Sequence, residues 1–190
     1  MLLKKIQTSV AKQSANHLIK YILPNDNVLD IGSGKGFVAK LISEQTGAAI
    51  KCMDVLNLKD SVLPVEKFDG IHIPYPDNSF SVVVVVFVLH HAENQIELLK
   101  NIKKVSSDRI IIIEDIQENI FDRMFAFLHK MSSYFIYQSK ISSMKFRSDK
   151  DWKEVFGLLD LTLVNEETTL ITNPLYPIGR KLYVLQKNSL

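Results

Sequence analysis

The chain has a single cysteine, Cys52, so no intramolecular disulfide can form, and such sparing thiol use fits a reducing compartment. It also lacks any long apolar run. The longest, Val82 to Leu89, is 8 residues, whereas a helical membrane span needs about 20. The start, Met-Leu-Leu-Lys-Lys, turns polar from Gln7 to Gln13 and carries neither the apolar stretch nor the cleavage pattern of a secretory leader, which leads us to expect a cytoplasmic protein. An excess of one charge is missing too: 23 basic residues face 21 acidic ones, a formal charge of +2, so electrostatics alone indicate neither a nucleic-acid nor a membrane-surface partner. Repeats, low-complexity tracts and linkers rich in Gly, Pro or Ser are absent. The 190 residues, 46% of them hydrophobic, therefore read as one globular domain spanning 1–190.

Apolar runs alternate with stretches of helical periodicity, the pattern of an α/β protein whose parallel sheet is covered on both faces. Strands are expected near 27–31, 49–54, 68–72, 82–86 and 109–114, the last containing four consecutive isoleucines. Helices are expected near 7–22, within an N-terminal segment 1–24, and near 36–46, 94–104 and 149–159. Two further strands, near 161–166 and 180–187, should pair antiparallel at one edge. Between Gln117 and Tyr137 the sequence is helical in character and rich in Phe and Tyr. It makes 116–148 a candidate cap over a substrate.

Asn27 to Gly36 read Asn-Val-Leu-Asp-Ile-Gly-Ser-Gly-Lys-Gly: an apolar strand with an acid near its end runs into three alternating glycines, and helical periodicity resumes at Phe37. Glycines there let the backbone turn tightly and approach a ligand where a Cβ would collide. A dinucleotide loop of the Gly-x-Gly-x-x-Gly type would need its third glycine where Phe37 stands. A phosphate loop ending Gly-Lys-Ser/Thr is also absent, because Gly36 follows Lys35. What remains is an acid, Asp30, placed beside a cationic or amine-bearing ligand. Asp54 ends the next strand about 20 residues on, where an acid can accept hydrogen bonds from both ribose hydroxyls.

The segment Val28 to Gly36, with Asp54, the stretch Phe68 to Phe80 and Val88-Leu89-His90-His91 following in order, resembles class I S-adenosylmethionine-dependent methyltransferases. The resemblance implies a Rossmann-like fold, a mostly parallel seven-stranded sheet with an antiparallel edge strand and helices on both faces. It also implies S-adenosylmethionine as cofactor, S-adenosylhomocysteine as product, and contacts to them from Asp30, Gly32, Ser33, Gly34, Gly36, Asp54, Val55, Asp69, Gly70, Val86 and Phe87. In that scheme Asp30 lies near the methionine amino group, and Gly32 and Gly34 line the methionine and ribose portions. Asp54 holds the ribose, Val55 packs on the adenine, and Asp69 with the Gly70 backbone reads the adenine edge. Ser81 departs from the family pattern, which usually has Asp after the phenylalanine at Phe80; a structural effect is expected there.

His90 and His91 fall just beyond the fourth strand, at the sheet edge where open α/β folds bind ligands. Either could serve as a base toward an acceptor hydroxyl or amine, or the pair could cap and pack the next helix. Glu114 and Asp115 end the fifth strand near the same rim and are candidates for substrate contact. No metal site is indicated. The sequence after the fourth strand, Val85-Val86-Phe87-Val88, lacks the Asn/Asp-Pro-Pro-Tyr motif of adenine-N6 and glutamine methyltransferases, and Cys52 stands in the wrong place for a cytosine-C5 nucleophile. A small-molecule acceptor is the expectation that remains. Two alternatives stay open: a regulatory protein that binds the cofactor without turnover, and an NAD(P)-dependent oxidoreductase.

Overall fold

The computed structural model describes residues 2–56, 58–118, 122, 124, 144–169, 171 and 178–187, with the side chains of 2–4 left aside. Helix α1 (Leu2–Leu18) passes through a 3-10 turn, Ile19–Tyr21, into β1 (Asn27–Ile31). There follow α2 (Phe37–Thr46), β2 (Ala49–Asp54), β3 (Val65–Lys67), β4 (Phe80–Val86), a second 3-10 turn (Leu89–His91), α3 (Gln95–Val105) and β5 (Ser106–Ile116). Helix α4 (Asp149–Leu158) leads to β6 (Leu161–Thr168) and β7 (Gly179–Lys187). The seven strands form one sheet in the order β3-β2-β1-β4-β5-β7-β6.

Strands β1 to β5 pair in parallel, while β7 runs antiparallel to both β5 and β6. The antiparallel strand at that end is thus β7, one place in from the edge. Alternation of side chains across the pleat divides the core into two layers. Leu29, Ile31, Val83, Val85, Ile110 and Ile112 pack on one face with Leu98, Leu99 and Ile102 of α3 and Trp152 and Phe156 of α4. Val28, Val82, Val84, Ile111 and Ile113 pack on the other with Leu18 of α1 and Ile42 of α2. Each fully buried branched side chain of this kind is worth roughly 1.5–3 kcal/mol. Strands buried on both faces explain why β4 and β5 read as unbroken apolar runs in the sequence.

Local chemistry sets the helix starts. The Asn94 side chain accepts the Glu97 N–H at 3.1 Å to begin α3, and Ser148 and Asp151 form a reciprocal capping box at the start of α4. At the amino edge of the sheet, Arg109 bonds both carboxylate oxygens of Asp26 at 3.0 and 2.9 Å. The Ser81 hydroxyl donates to Asp26 Oδ1 at 2.8 Å and accepts the Asn27 N–H at 3.0 Å. Ser81 therefore ties β4 to β1 at the end of the sheet opposite the glycine loop.

One expected strand is displaced. The third strand lies at Val65–Lys67, and 68–72 form a turn instead. Asp69 Oδ1 accepts the N–H groups of Ile71 and His72 at 2.8 and 2.7 Å, and these bonds to its own backbone take the place of a ladder. Phe68 and Ile73 are buried from the turn itself. The candidate cap 116–148, including most of the aromatic stretch, lies largely outside the described residues.

Candidate functional site

From β1 the chain winds outward to β2 and β3, then returns to the other side of β1 with β4. The strand order reverses between β1 and β4, and the carboxyl ends of strands at such a switch point are where open α/β sheets hold ligands in a crevice. The loop after β1 sits in that crevice. Gly32 and Ser33 donate their N–H groups to the Met53 carbonyl at 2.7 and 3.0 Å, which fixes the loop across β2. Gly32 has φ +70°, and a Cβ there would lie 2.3 Å from Val88 Cγ2, so Val88, two residues past β4, fills the space that the missing side chain leaves. Gly34, at φ +56°, has nothing within 4 Å of the position a Cβ would take. One glycine allows close packing; the other faces open space.

Asp30 is 3% exposed, and its Oδ2 has no hydrogen-bond partner. Burial, reinforced by the nearby Asp54 carboxylate, pushes its carboxyl up to about 8. The adjacent Cys52 thiol is pushed up to about 12 by burial and by Asp30, against the Ser33 hydroxyl, which acts the other way. A buried acid with an unsatisfied oxygen is costly unless something cationic or hydrogen-bonding meets it. An ammonium group arriving at the loop would satisfy that atom and convert the acid to its charged form.

Asp54 holds the loop as well as facing it. Its Oδ2 accepts the Gly34 N–H and its Oδ1 the Leu56 N–H, both at 2.8 Å. Each carboxylate oxygen retains a second lone pair for a ligand hydroxyl. Val55 is 46% exposed, and its Cγ1 lies 3.1 Å from where a Gly70 Cβ would be, so the expected adenine-facing residues meet across β2 and the turn after β3. Asp69 keeps to its own turn: its Oδ2 pairs with His72 Nδ1 at 2.6 Å. The His72 side chain, then the His72 and Ile71 N–H groups, hold the Asp69 carboxyl down to about 2.

At the end of β4, Val86 and Phe87 pack against the second core layer, and Phe87 takes φ +56°, a conformation rarely adopted by bulky residues. Its ring lies under Arg180, whose Cζ is 5.4 Å from the ring centroid. Arg180 donates to Asp115 Oδ1 at 2.9 Å and to the Ile171 carbonyl at 2.8 Å. Burial pushes the Asp115 carboxyl up to about 6, with His90 and Arg180 opposing it.

The two candidate bases occupy different environments. His90 is 1% exposed, stacked on Phe146 at 4.8 Å, and pairs through Nδ1 with Glu114 Oε2 at 2.7 Å. Burial opposes its charge, but the Glu114 carboxylate outweighs that and holds the imidazole above its usual pKa. His91 is exposed. Glu114, fully buried, spends its second oxygen on the Leu89 N–H at 2.7 Å. The acids at the end of β5 are thus directed at protein partners, not at open space. Sequence reading placed Glu114 and Asp115 at the rim but missed Arg180; an arginine just ahead of the apolar run Leu182–Leu185 was the available signal.

The profile of the methyltransferase-domain family matches residues 4–166. The chain belongs to that family. A ubiquinone/menaquinone biosynthesis C-methyltransferase from Cupriavidus pinatubonensis is 30% identical over 108 residues, covering 49% of this chain and 44% of that protein. A tRNA (carboxymethyluridine(34)-5-O)-methyltransferase from Schizosaccharomyces pombe is 27% identical over 78 residues, covering 40% of this chain and 34% of that protein. The chain therefore spans less than half the length of these curated relatives. Among solved structures, an S-adenosylmethionine-dependent methyltransferase from Archaeoglobus fulgidus superposes with a TM-score of 0.71 at 15% identity, covering 93% of this chain and 94% of that one. At that identity the likeness speaks for the fold.

The methyltransferase's cofactor, from family and fold together, is S-adenosylmethionine, which sets aside the dinucleotide reading. The residues present fit it: a buried acid with one unpartnered oxygen for the amino group, a glycine with open space above it, and an acid at the end of β2 with lone pairs to spare. Among the described residues no cluster of three or more metal-ligating side chains occurs, and no helix is long and apolar enough to cross a membrane.

Proposed function

We propose that this methyltransferase acts on a small-molecule acceptor by in-line methyl transfer. The observation that carries the cofactor part is the buried, unpartnered Asp30 Oδ2 beneath a glycine loop with open space at Gly34. Asp30 would meet the methionine ammonium, Gly32 and Gly34 would line the methionine and ribose, and Asp54 would accept the ribose hydroxyls. Val55 and Gly70 would flank the adenine, with Asp69 at its edge. Ser33, Gly36, Val86 and Phe87 complete the wall on this reading.

The cofactor supplies a methyl group already activated by a sulfonium charge. The chain's task is then mainly to hold donor and acceptor in line. Such alignment is worth roughly 7–11 kcal/mol, against about 3–5 kcal/mol from a well-placed base. Of the two histidines, His91 is the one whose exposure suits contact with an acceptor proton, while His90 is committed to Glu114. The small-molecule reading draws support from the quinone-pathway relative and from the near-neutral charge of +2. The tRNA-modifying relative favours a nucleic-acid acceptor as the second reading.

Calorimetry with S-adenosylmethionine and S-adenosylhomocysteine tests the pocket; failure to bind either would overturn the assignment. Transfer of labelled methyl into a metabolite extract, run beside the same assay on bulk tRNA, separates the acceptors. Label in tRNA alone would refute the small-molecule reading, and cofactor binding with no transfer to either would favour a regulatory protein without turnover.

A further inference from the structure

We infer that Glu114, although it is buried on β5 and outside the cofactor crevice, is a positioning residue for the S-adenosylmethionine site, an inference that rests on the cofactor reading above. The last bond to β5 is the Phe87 N–H to the Ile113 carbonyl at 2.8 Å, and beyond it the chain leaves the sheet: Phe87 turns to φ +56° and Leu89–His91 form a single 3-10 turn. Something other than sheet pairing must fix this crossing, because the first of its side chains to face the glycine loop, Val88, sits directly against Gly32.

The carboxylate of Glu114 supplies much of that fixation. Its Oε1 accepts the Leu89 N–H and its Oε2 pairs with His90 Nδ1, each at 2.7 Å. Two bonds from one rigid, fully buried acid leave the 88–90 backbone little freedom to shift or rotate. From the other side, the Gln95 side chain donates to the Leu89 carbonyl at 3.0 Å, and the Lys145 N–H donates to the His90 carbonyl at 3.0 Å. The crossing is gripped on donors and acceptors alike.

What it presents to the cofactor loop is Val88. Both its methyl groups lie within 3 Å of where a Gly32 Cβ would be. Gly32 is also the loop residue that hydrogen-bonds across to Met53. A displacement of Val88 therefore reaches the turn that aims Gly34 and, through the Gly34 N–H, the Asp54 carboxylate. The chain of contacts is Glu114, Leu89 and His90, Val88, Gly32. Sites of this kind hold their ligand only while the supporting contacts keep the geometry to a fraction of an ångström.

The test uses the full-length protein and S-adenosylhomocysteine affinity by calorimetry, at a temperature where circular dichroism shows each variant folded. Glu114→Gln keeps an acceptor for Leu89 and a donor for one tautomer of His90, so it should bind within about threefold of the parent, whereas Glu114→Ala should weaken binding by about tenfold or more. Val88→Ala, which leaves the Glu114 bonds intact, should weaken binding in the same direction. The Glu114→Ala/Val88→Ala double variant should bind no worse than the weaker single one, because both act through one contact. Leu161→Ala, a core change on the edge strand β6 at the amino end of the sheet, should leave affinity unchanged while folded. If Glu114→Ala does not fold, the Val88→Ala result decides: unchanged affinity overturns the inference, as would additive losses in the double variant or an equal loss in Leu161→Ala. Absence of binding by the parent would instead count against the cofactor reading.

Discussion

Replacing Asp30 by Asn should change the pH dependence of stability in a direction and size that follow from burial. Burial and the Asp54 carboxylate push the folded carboxyl up to about 8, from an ordinary value of 3.8. Because the folded value is raised, the folded state holds the proton more tightly than the unfolded one. The acid's contribution is therefore most favourable at and below pH 4 and is lost as pH rises toward 8. Over that window the folded protein holds close to one extra proton, which gives a slope of about 1.4 kcal/mol per pH unit and a total on the order of 5 kcal/mol. Asn has no such titration. Urea denaturation of parent and Asp30→Asn without cofactor at pH 5, 6, 7 and 8 should show the variant gaining on the parent at each step, by up to about 1.4 kcal/mol per unit. Taking the difference removes carboxylates common to both proteins. A difference that stays constant across the range would refute the idea that Asp30 is protonated in the free protein. The same linkage reaches binding. A ligand amine remains mostly cationic through pH 7, and its docking on Asp30 should release a proton, seen as a buffer-dependent calorimetric heat. Affinity of the parent for S-adenosylhomocysteine should rise from pH 6 to 7.5, and that of Asp30→Asn should stay flat.

Asp54→Ala should weaken cofactor binding by roughly 1.5–3 kcal/mol and also lower Tm, since the Gly34 and Leu56 N–H groups lose their acceptor; unchanged affinity in calorimetry would refute the ribose role. Gly34→Val should fold, because space surrounds its Cβ position, at a cost of roughly 1–2 kcal/mol for the left-handed backbone. It should no longer bind S-adenosylhomocysteine, and normal affinity would contradict the loop assignment. Arg180→Met leaves Asp115, 4% exposed, without its guanidinium and should cost roughly 3–5 kcal/mol in urea denaturation. Adding Asp115→Asn should recover part of that loss; no recovery would mean the ion pair is not its source.

The parts of this fold that can be read from sequence are those whose cause is local. The β1 strand, glycine loop and α2 declare themselves within twenty residues, since strand apolarity, glycine spacing and helical period follow one another without a break. The displaced β3 shows the opposite case. Phe68, Ile71 and Ile73 look like a strand by apolarity, yet the Asp69 side chain and its own backbone decide the matter, and Asp-Gly was the better signal. At the site, residue type and order were enough to name Asp30 and Asp54 as candidates, but not that Asp54 would bond the loop it was expected to face. His90 and His91 are adjacent in sequence and occupy opposite environments because Glu114, more than twenty residues later, takes one of them. Arg180 and Asp115 are joined only by the register of β5 against β7, which no local pattern specifies.

That same register bears on how the protein is made. Strand β5, with its buried isoleucines at 110 to 113, has β4 as one neighbour and receives the other only when β7 arrives, pairing Ile112 with Tyr183 and Ile113 with Leu182. During synthesis the parallel half of the sheet must wait with an apolar, unpaired edge, the sort of surface that recruits other chains. The closing β6–β7 hairpin acts as an edge guard as well as a scaffold for Arg180.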